Sequence, residues 1–272
     1  MNNNFFKILG SFIISLNIII FLVFSYYLLY VWKGYMLLPL IVRIFFILNI
    51  FFSMGVYFKM NKNYHDIEMK LENAYLSGFE AMAALVDAKD LYTGEHSKNV
   101  SRYVTVICNN LSCGKNKEDS KNKEDSKNKE DSKNKVKLAA TFHDIGKIGI
   151  PDIILKNPGK LSDSDYEIMK THPVIGANVI GKIEGFSEIS TIIRHHHERW
   201  DGTGYPDGLK GNEIPFGSQI ISIADTFDAI TSDRVYRKGL NEDIALKILT
   251  EEKGKQFNPE LVDIFVESYW LD

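Results

Sequence analysis

Histidine and aspartate residues provide the clearest chemical signal in this sequence. Five of the seven histidines lie in settings that suggest metal ligands: His96, His143, His172, His196 and His197. Two aspartates, Asp144 and Asp225, interrupt apolar helical stretches, where a charge is costly unless it is paired or coordinated. Imidazole and carboxylate together suit iron, manganese, zinc or nickel, whereas carboxylate alone suits magnesium or calcium. The residue types therefore predict a transition-metal site.

The alternative for each histidine is a core residue with satisfied hydrogen bonds, the commoner situation for a single histidine on an apolar helix. That explanation would have to apply five times here, and it would leave Asp144 and Asp225 without a role. The adjacent pair His143-Asp144 also suits two ions, because the short carboxylate can bridge them while the imidazole binds one. No glycine-rich phosphate loop and no Ser/His/Asp triad in the sequence competes for a catalytic role.

The segments that must position these residues have helical periodicity. One apolar stripe comprises Val100, Val104, Ile107 and Leu111, and a second comprises Val136, Ala139 and Phe142. Ser162 and Asn241 are predicted to cap later helices, the second of which ends near Gly254. Strand signals are almost absent, and glycines cluster in one loop at 201–217. The fold class predicted for the soluble part is all-α.

Two apolar runs occupy the N-terminal region. Residues 8–31 carry no charge, and residues 35–58 contain only Arg43, so each is long enough to span a bilayer. We expect a membrane anchor at 1–60 with two transmembrane helices in contact with the lipid bilayer. One span followed by a buried or interfacial helix stays open, because Arg43 is costly at mid-bilayer.

The flanking cations predict the orientation of the anchor. Lys7 precedes the first run and Lys59, Lys62 and Lys70 follow the second, whereas the intervening turn carries only Lys33. The positive-inside rule then puts both termini in the cytoplasm. The predicted location is the cell membrane, multi-pass, with a cytoplasmic C-terminal domain.

Residues 61–90 form an amphipathic linker in this interpretation. Its apolar residues recur three and four apart, which predicts a helix with one buried face: Ile67, Leu71, Tyr75, Phe79, Met82 and Val86. A homodimer through this helix and packing of the helix on its own domain both stay open. Further on, KNKEDS repeats three times within 115–135, without any apolar residue, and we interpret this segment as a solvated, partly helical insertion.

Composition excludes some classes of function. The net charge of -3 gives no reason to expect a DNA or RNA duplex as partner. Cys108 and Cys113 form neither a disulfide framework nor a metal knuckle, and we interpret both as small apolar fillers in a reducing compartment.

The ordered motifs resemble a known family. His143-Asp144, with His96 upstream and Asp225 downstream, resembles the HD superfamily of metal phosphohydrolases. The runs HHERWDGTGYPDGLKGNEIP (196–215) and IADTFDAITSDRVYR (223–237) are similar to the HD-GYP subfamily, whose name matches Gly204-Tyr205-Pro206. The resemblance extends from about Leu85 to the C-terminus and implies an HD-type helical bundle at 85–272.

The resemblance also implies roles for individual residues. The first of two divalent ions, iron or manganese, would be held by His96, His143, Asp144 and Asp225. Asp144 would bridge to the second ion, held by His172, His196 and His197. Lys147 would contact a phosphate oxygen or the nucleophilic water, Tyr205 would lie near the ligand, and Arg234 and Arg237 would hold substrate phosphate. His195 and His65 have no ligand role in this pattern.

The implied function is hydrolysis of the cyclic dinucleotide cyclic di-GMP to pGpG or GMP, which lowers the level of a second messenger. The alternatives are another cyclic dinucleotide as substrate, a generic nucleotidase, or a catalytically silent receptor that signals through the membrane helices. The sequence departs from the family in two places: the repeat insertion widens the spacing between His96 and His143, and Tyr92 stands where some members have a glutamate for a third metal. We therefore expect two metals.

Overall fold

All regular elements of the described residues are helical, and no strand occurs among them. The structure, a computed structural model, describes residues 15–16, 18–27, 37–89, 95–111, 123–233 and 238–269. The chain divides into two units, Met1–Ser77 and Gly78–Asp272. The prediction of an all-α fold is confirmed.

The N-terminal unit contains α1 (Ile18–Tyr27) and most of α2 (Leu37–Lys89). The Phe46 ring lies with its centroid 6.0 Å from that of Phe21 and 5.7 Å from that of Phe24, so aromatic contacts join the two helices. Within the described residues, one helix, α2, has the length and apolar composition needed to cross a membrane. Of the predicted first span, 8–31, the structure describes 15–16 and 18–27, where the apolar helix Ile18–Tyr27 is shorter than a full span, so the second crossing stays a prediction.

Most of the linker's predicted apolar face is exposed in the single chain, so packing of this face against a second copy stays a prediction. The side chains of Ile67, Leu71, Tyr75 and Met82 are exposed, whereas Phe79 is half-buried and Val86 is buried. The periodicity correctly predicted a helix, which is continuous with the apolar run before it. Its last three turns belong to the C-terminal unit, where Phe79 contacts the rings of Phe142 and Phe186.

The C-terminal unit is a bundle of short helices. In chain order they are α3 (His96–Asn110), α4 (Lys123–Phe142), a 3-10 helix (Ile145–Gly149), α5 (Asp152–Leu155), α6 (Asp163–Met169), α7 (His172–Ile180), α8 (Ser187–Arg194), a second 3-10 helix (Gly211–Glu213), α9 (Phe216–Thr231), α10 (Glu242–Glu251) and α11 (Pro259–Ser268). Large side chains without solvent exposure fill the centre, among them Ile107, Ile193, Phe227 and Phe265. Burying side chains of this size stabilises the bundle by about 2 kcal/mol each.

Local capping residues begin the helices where the sequence predicts. The Ser162 hydroxyl accepts a hydrogen bond from the Asp165 amide at the start of α6, and the Asn241 side chain accepts one from the Asp243 amide at the start of α10. These two predictions are confirmed.

Part of the KNKEDS repeat is helical. α4 begins at Lys123 inside the repeat, and the side chains at 128–132 are exposed. Lys135 makes ion pairs with Asp131 and Glu188 at 2.9 Å each, which join this end of α4 to α8. The expectation of a partly helical segment holds from Lys123, and the expectation of solvation holds for the side chains at 128–132.

Candidate metal centre

The predicted ligands are brought together mainly because they lie at helix ends. His143 and Asp144 follow the last residue of α4, His96 and His172 are the first residues of α3 and α7, and His196 and His197 follow α8 closely. Among these ligands, Asp225 is the one that lies in the interior of a helix, α9. Helix ends can converge on one point while the helix bodies diverge, so several short helices supply ligands to one cavity.

A glycine permits the close approach of two of these elements. A Cβ atom on Gly146 would lie 1.9 Å from the carbonyl oxygen of His172 and 2.5 Å from the amide nitrogen of Gly176. No side chain fits there, so glycine lets the 3-10 helix Ile145–Gly149 lie directly on α7. Asp144 and His172 are adjacent as a result.

One group of ligand atoms surrounds one oxygen of Asp144. Its Oδ2 lies 3.4 Å from Nε2 of His143 and 3.6 Å from Nε2 of His96. Oδ1 of Asp225 lies 3.4 Å from the same His96 nitrogen. The two histidine Nε2 atoms are themselves 3.3 Å apart. Two imidazoles and two carboxylates therefore converge on one point.

A second group lies on the other side of Asp144. Its Oδ1 is 3.2 Å from Nε2 of His172, which belongs with His196 and His197 to a set whose ligand atoms all lie within 4.8 Å of one another. The rings of His196 and His197 have centroids 4.0 Å apart. The two oxygens of Asp144 thus face different sets of histidines.

Backbone carbonyls orient three of the histidines. Nδ1 of His143, His172 and His196 lies 2.7–2.8 Å from the carbonyl oxygen three residues earlier, of Ala140, Met169 and Ile193 respectively. A carbonyl oxygen only accepts, so Nδ1 carries the hydrogen in each ring and the Nε2 lone pair is directed into the cluster. Nε2 of His172 and of His196 is buried without a hydrogen-bond partner among the described residues. Buried nitrogens of this kind fit coordination to a metal ion.

The electrostatics keep the imidazoles of His196 and His197 neutral. Burial lowers the pKa of His196 and of His197 well below the ordinary value, and neighbouring histidines lower both pKa values further. For His96, burial lowers the pKa, but hydrogen bonds with Asp144 and Asp228 outweigh it and raise the pKa to about 10. A metal ion binding at His96 must therefore displace a proton.

Lys147 pairs with the central carboxylate. Its Nζ lies 2.7 Å from Oδ2 of Asp144, with both side chains largely buried. Burial raises the pKa of the Asp144 carboxyl, but Lys147 and His143 outweigh this effect, and the net pKa is well below the ordinary value. Asp144 is therefore ionised at neutral pH, as a metal ligand must be.

The loop after α8 brings Tyr205 to the edge of the cluster. Its ring lies with the centroid 4.9 Å from that of His197, and its amide donates to the His197 carbonyl oxygen at 3.2 Å. Buried Glu198 accepts hydrogen bonds from the amides of Asp207, Gly208 and Leu209 at 2.8–3.1 Å. A Cβ on Gly204 would lie 2.3 Å from the Arg199 amide nitrogen, so the loop lies directly against the backbone of Glu198 and Arg199.

His195, to which the sequence assigns no ligand role, points away from the cluster. Its Nε2 lies 2.9 Å from Oδ2 of Asp207, which also accepts two hydrogen bonds from Arg194 at 2.8 Å. These hydrogen bonds connect Asp207, in the loop after α8, to Arg194 and His195.

Asp228 was not among the candidate residues of the sequence analysis. Its Oδ2 lies 2.7 Å from Nδ1 of His96, so it orients that ring from behind. The available signal was a second acid three residues after Asp225, in a helix that is otherwise mostly apolar. Three other candidates, Arg234, Arg237 and Tyr92, lie outside the described residues.

The donor set fits a divalent transition metal. It combines imidazole nitrogens and carboxylate oxygens, both groups are largely buried, and three of the imidazoles are locked in one tautomer. Ligands suited only to magnesium or calcium would be oxygens alone.

The C-terminal part of the chain is similar to known proteins. Residues 81–261 match the HD domain family. The chain is 35% identical over 193 residues to a cyclic di-GMP phosphodiesterase of Vibrio cholerae, covering 68% of this chain and 38% of that protein. It is 44% identical over 130 residues to the cyclic di-GMP phosphodiesterase response regulator RpfG of Xanthomonas campestris, covering 47% and 34%.

Two further similarities involve a different nucleotide. The chain is 33% identical over 202 residues to 3′3′-cGAMP-specific phosphodiesterase 3 of Vibrio cholerae, covering 74% of this chain and 41% of that protein. The crystal structure of a cyclic GMP-AMP specific phosphodiesterase of V. cholerae has a similar fold, with a TM-score of 0.50 at 20% identity, covering 71% of this chain and 49% of the other. The chain thus spans less than half the length of these relatives.

Proposed function

This chain belongs to the HD-GYP type of the HD domain family, and we propose that it is a metal-dependent phosphodiesterase that hydrolyses cyclic di-GMP. The observation that carries the proposal is the position of Asp144 between two groups of histidines. A carboxylate with one oxygen facing each group would let one side chain serve both ions of a two-metal hydrolase.

Two divalent ions, iron or manganese, would occupy the centre. The first would be held by His96, His143, Asp144 and Asp225, and the second by Asp144, His172, His196 and His197. When bound, such ions lower the pKa of water to produce a nucleophile at neutral pH and neutralise the oxygens of the phosphodiester.

The chain's own residues would bind and orient the substrate. The Lys147 ammonium would neutralise a non-bridging phosphate oxygen, and its contact with Asp144 already directs it towards the centre. Tyr205 would contact the ligand beside His197, where its half-buried ring limits access of water. Arg234 and Arg237 would hold substrate phosphate through guanidinium hydrogen bonds.

Cyclic GMP-AMP is the second candidate substrate. A relative named for that nucleotide matches 74% of this chain, more than the 68% matched by the relative named for cyclic di-GMP. The two nucleotides differ in one base, so the residues around the second base would decide between them. We favour cyclic di-GMP because the relatives with the higher identities carry its name.

The proposed organisation is a membrane anchor at 1–60, a linker helix at 61–90 and the phosphodiesterase domain at 85–272. The apolar part of α2 and the aromatic contacts of Phe46 with α1 support an anchor made of two helices. The catalytic domain would then be cytoplasmic at the cell membrane. A homodimer formed along the linker helix would cover the exposed apolar side chains of that part of α2.

The direct test uses the full chain in detergent or lipid nanodiscs, purified without oxygen and loaded with Mn²⁺ or Fe²⁺. We expect hydrolysis of cyclic di-GMP to pGpG or GMP, measured by chromatography, with slower turnover of cyclic GMP-AMP. Faster turnover of cyclic GMP-AMP would favour the second candidate. Tight nucleotide binding without any hydrolysis in the metal-loaded protein would instead indicate a receptor.

A further inference from the structure

The last turn of α2 carries two residues of opposite charge that contact the elements of the centre without being candidate ligands. Asp87 is buried, with 5% of its surface exposed, and the Lys89 side chain is 25% exposed. The two residues contact different elements.

Lys89 caps the 3-10 helix that follows Asp144. Its ammonium donates hydrogen bonds to the carbonyl oxygens of Ile148 at 2.9 Å, Ile150 at 3.0 Å and Lys147 at 3.5 Å. The last carbonyls of a helix lack intrahelical partners, and a cation placed there satisfies them and interacts favourably with the helix dipole. Lys89 therefore stabilises the segment that carries the Lys147 ammonium to the centre.

Asp87 binds the start of α3. Its Oδ1 accepts a hydrogen bond from the Ser97 hydroxyl at 2.9 Å, and its Oδ2 accepts one from the Ser97 amide at 3.3 Å. A carboxylate at a helix N-terminus satisfies amides that have no intrahelical partner. Ser97 follows His96 directly, so this contact holds the backbone of the first candidate ligand.

These two contacts come from one helical turn and end on two different elements that supply the first group of ligands, which comprises His96, His143, Asp144 and Asp225. His96 lies on the α3 side, Asp144 lies on the 3-10 helix side, and their ligand atoms are 3.6 Å apart. We propose that Asp87 and Lys89 are positioning residues, which set the spacing between His96 and the Asp144–Lys147 segment through the end of α2. A shift of that turn would move both sides of the centre at once.

The expected effect on turnover rests on the proposed function, whereas the expected effect on hydrogen exchange of the backbone amides does not. A misplacement of about 1 Å in a catalytic group can cost about 100-fold in rate. Removal of the Lys89 cap leaves Asp144 in place as a ligand but loosens the turn that carries Lys147.

The experiment compares Lys89→Met and Lys89→Arg in the full chain, with Lys156→Met as matched control. Lys156 pairs with Asp152 at 2.9 Å, as Lys89 does at 3.3 Å, but it makes none of the carbonyl contacts. We expect Lys89→Met to lower kcat at least about tenfold with KM changed less than about twofold. Lys89→Arg should restore most of kcat, because a guanidinium can still donate to several carbonyls, and Lys156→Met should match the wild type.

Hydrogen exchange tests the same contact without any turnover. The amides of residues 147–150 should exchange faster in Lys89→Met than in the wild type or Lys156→Met, even if the wild type hydrolyses no cyclic dinucleotide. That outcome would reject the proposed function and retain the positioning role. Unchanged exchange and unchanged kcat in Lys89→Met would overturn the proposal, and so would a lower kcat that Lys89→Arg fails to restore.

Asp87→Asn tests the other contact through metal affinity. This variant should bind Mn²⁺ about tenfold more weakly, measured by calorimetry, because partners behind a ligand typically affect affinity by that amount or more. An affinity equal to that of the wild type would remove Asp87 from the proposal.

Discussion

Oδ2 of Asp228 lies 2.7 Å from Nδ1 of His96, and both side chains are buried. The contact leaves Nε2 of His96 directed at Asp144 and Asp225. His96 therefore differs from His143, His172 and His196, whose Nδ1 atoms contact backbone carbonyls. A carboxylate behind an imidazole fixes the ring orientation and increases its basicity as a ligand.

The first prediction concerns this pair. Asp228→Asn keeps the size of the side chain but removes its charge, so the affinity for Mn²⁺ should fall about 10-fold to 100-fold. The control is Ser232→Ala, which removes a hydrogen bond to Oδ1 of Asp228, whereas His96 contacts Oδ2. Metal titration by calorimetry measures both variants, and equal affinities for the two would contradict the orienting role of Asp228.

The second prediction concerns the carboxylate between the two histidine groups. Asp144→Ala should abolish hydrolysis and lower the bound metal, because both groups lose one ligand. Helical content measured by circular dichroism should stay close to that of the wild type. The control Asp163→Ala changes an exposed aspartate in the first turn of α6 and should keep full activity. Substantial hydrolysis by Asp144→Ala would rule out the two-metal mechanism.

The third prediction concerns the repeat. Deletion of Lys121–Ser132 removes two units, including the N-terminal part of α4 from Lys123 to Ser132, and the ion pair between Asp131 and Lys135, but leaves the pair of Lys135 with Glu188. The change in loop-closure free energy is well under about 1 kcal/mol. Activity should be retained and the melting temperature should change by less than about 4 °C. A large loss of both would mean that the repeat contributes to the fold.

The fourth prediction concerns the number of metals. Tyr92 lies four residues before His96 and outside the described residues. A neutral phenol with a pKa of about 10 is a poor ligand near pH 7. Elemental analysis should therefore find two metals per chain, and Tyr92→Glu should raise the number towards three. Three metals in the unmodified protein would show that this position was misinterpreted.

Much of the fold follows from local sequence signals. Caps at Ser162 and Asn241 and apolar stripes in α3 and α4 depend on neighbours within one or two helical turns, so the sequence alone predicts them. Periodicity does not reveal what covers an apolar face. Ile67 and Leu71 repeat as buried residues do, yet their side chains are exposed in the single chain.

The sequence by itself determined which residue types form the centre: imidazoles and carboxylates that are costly in apolar helices unless they are coordinated or paired. Only the tertiary structure decided how they are arranged. It brought His96 within 3.6 Å of Asp144, directed one Asp144 oxygen at each histidine group, and put Asp228 behind His96. These distances join residues that are tens of positions apart along the chain, and they depend on how separate helices pack, which no local pattern specifies.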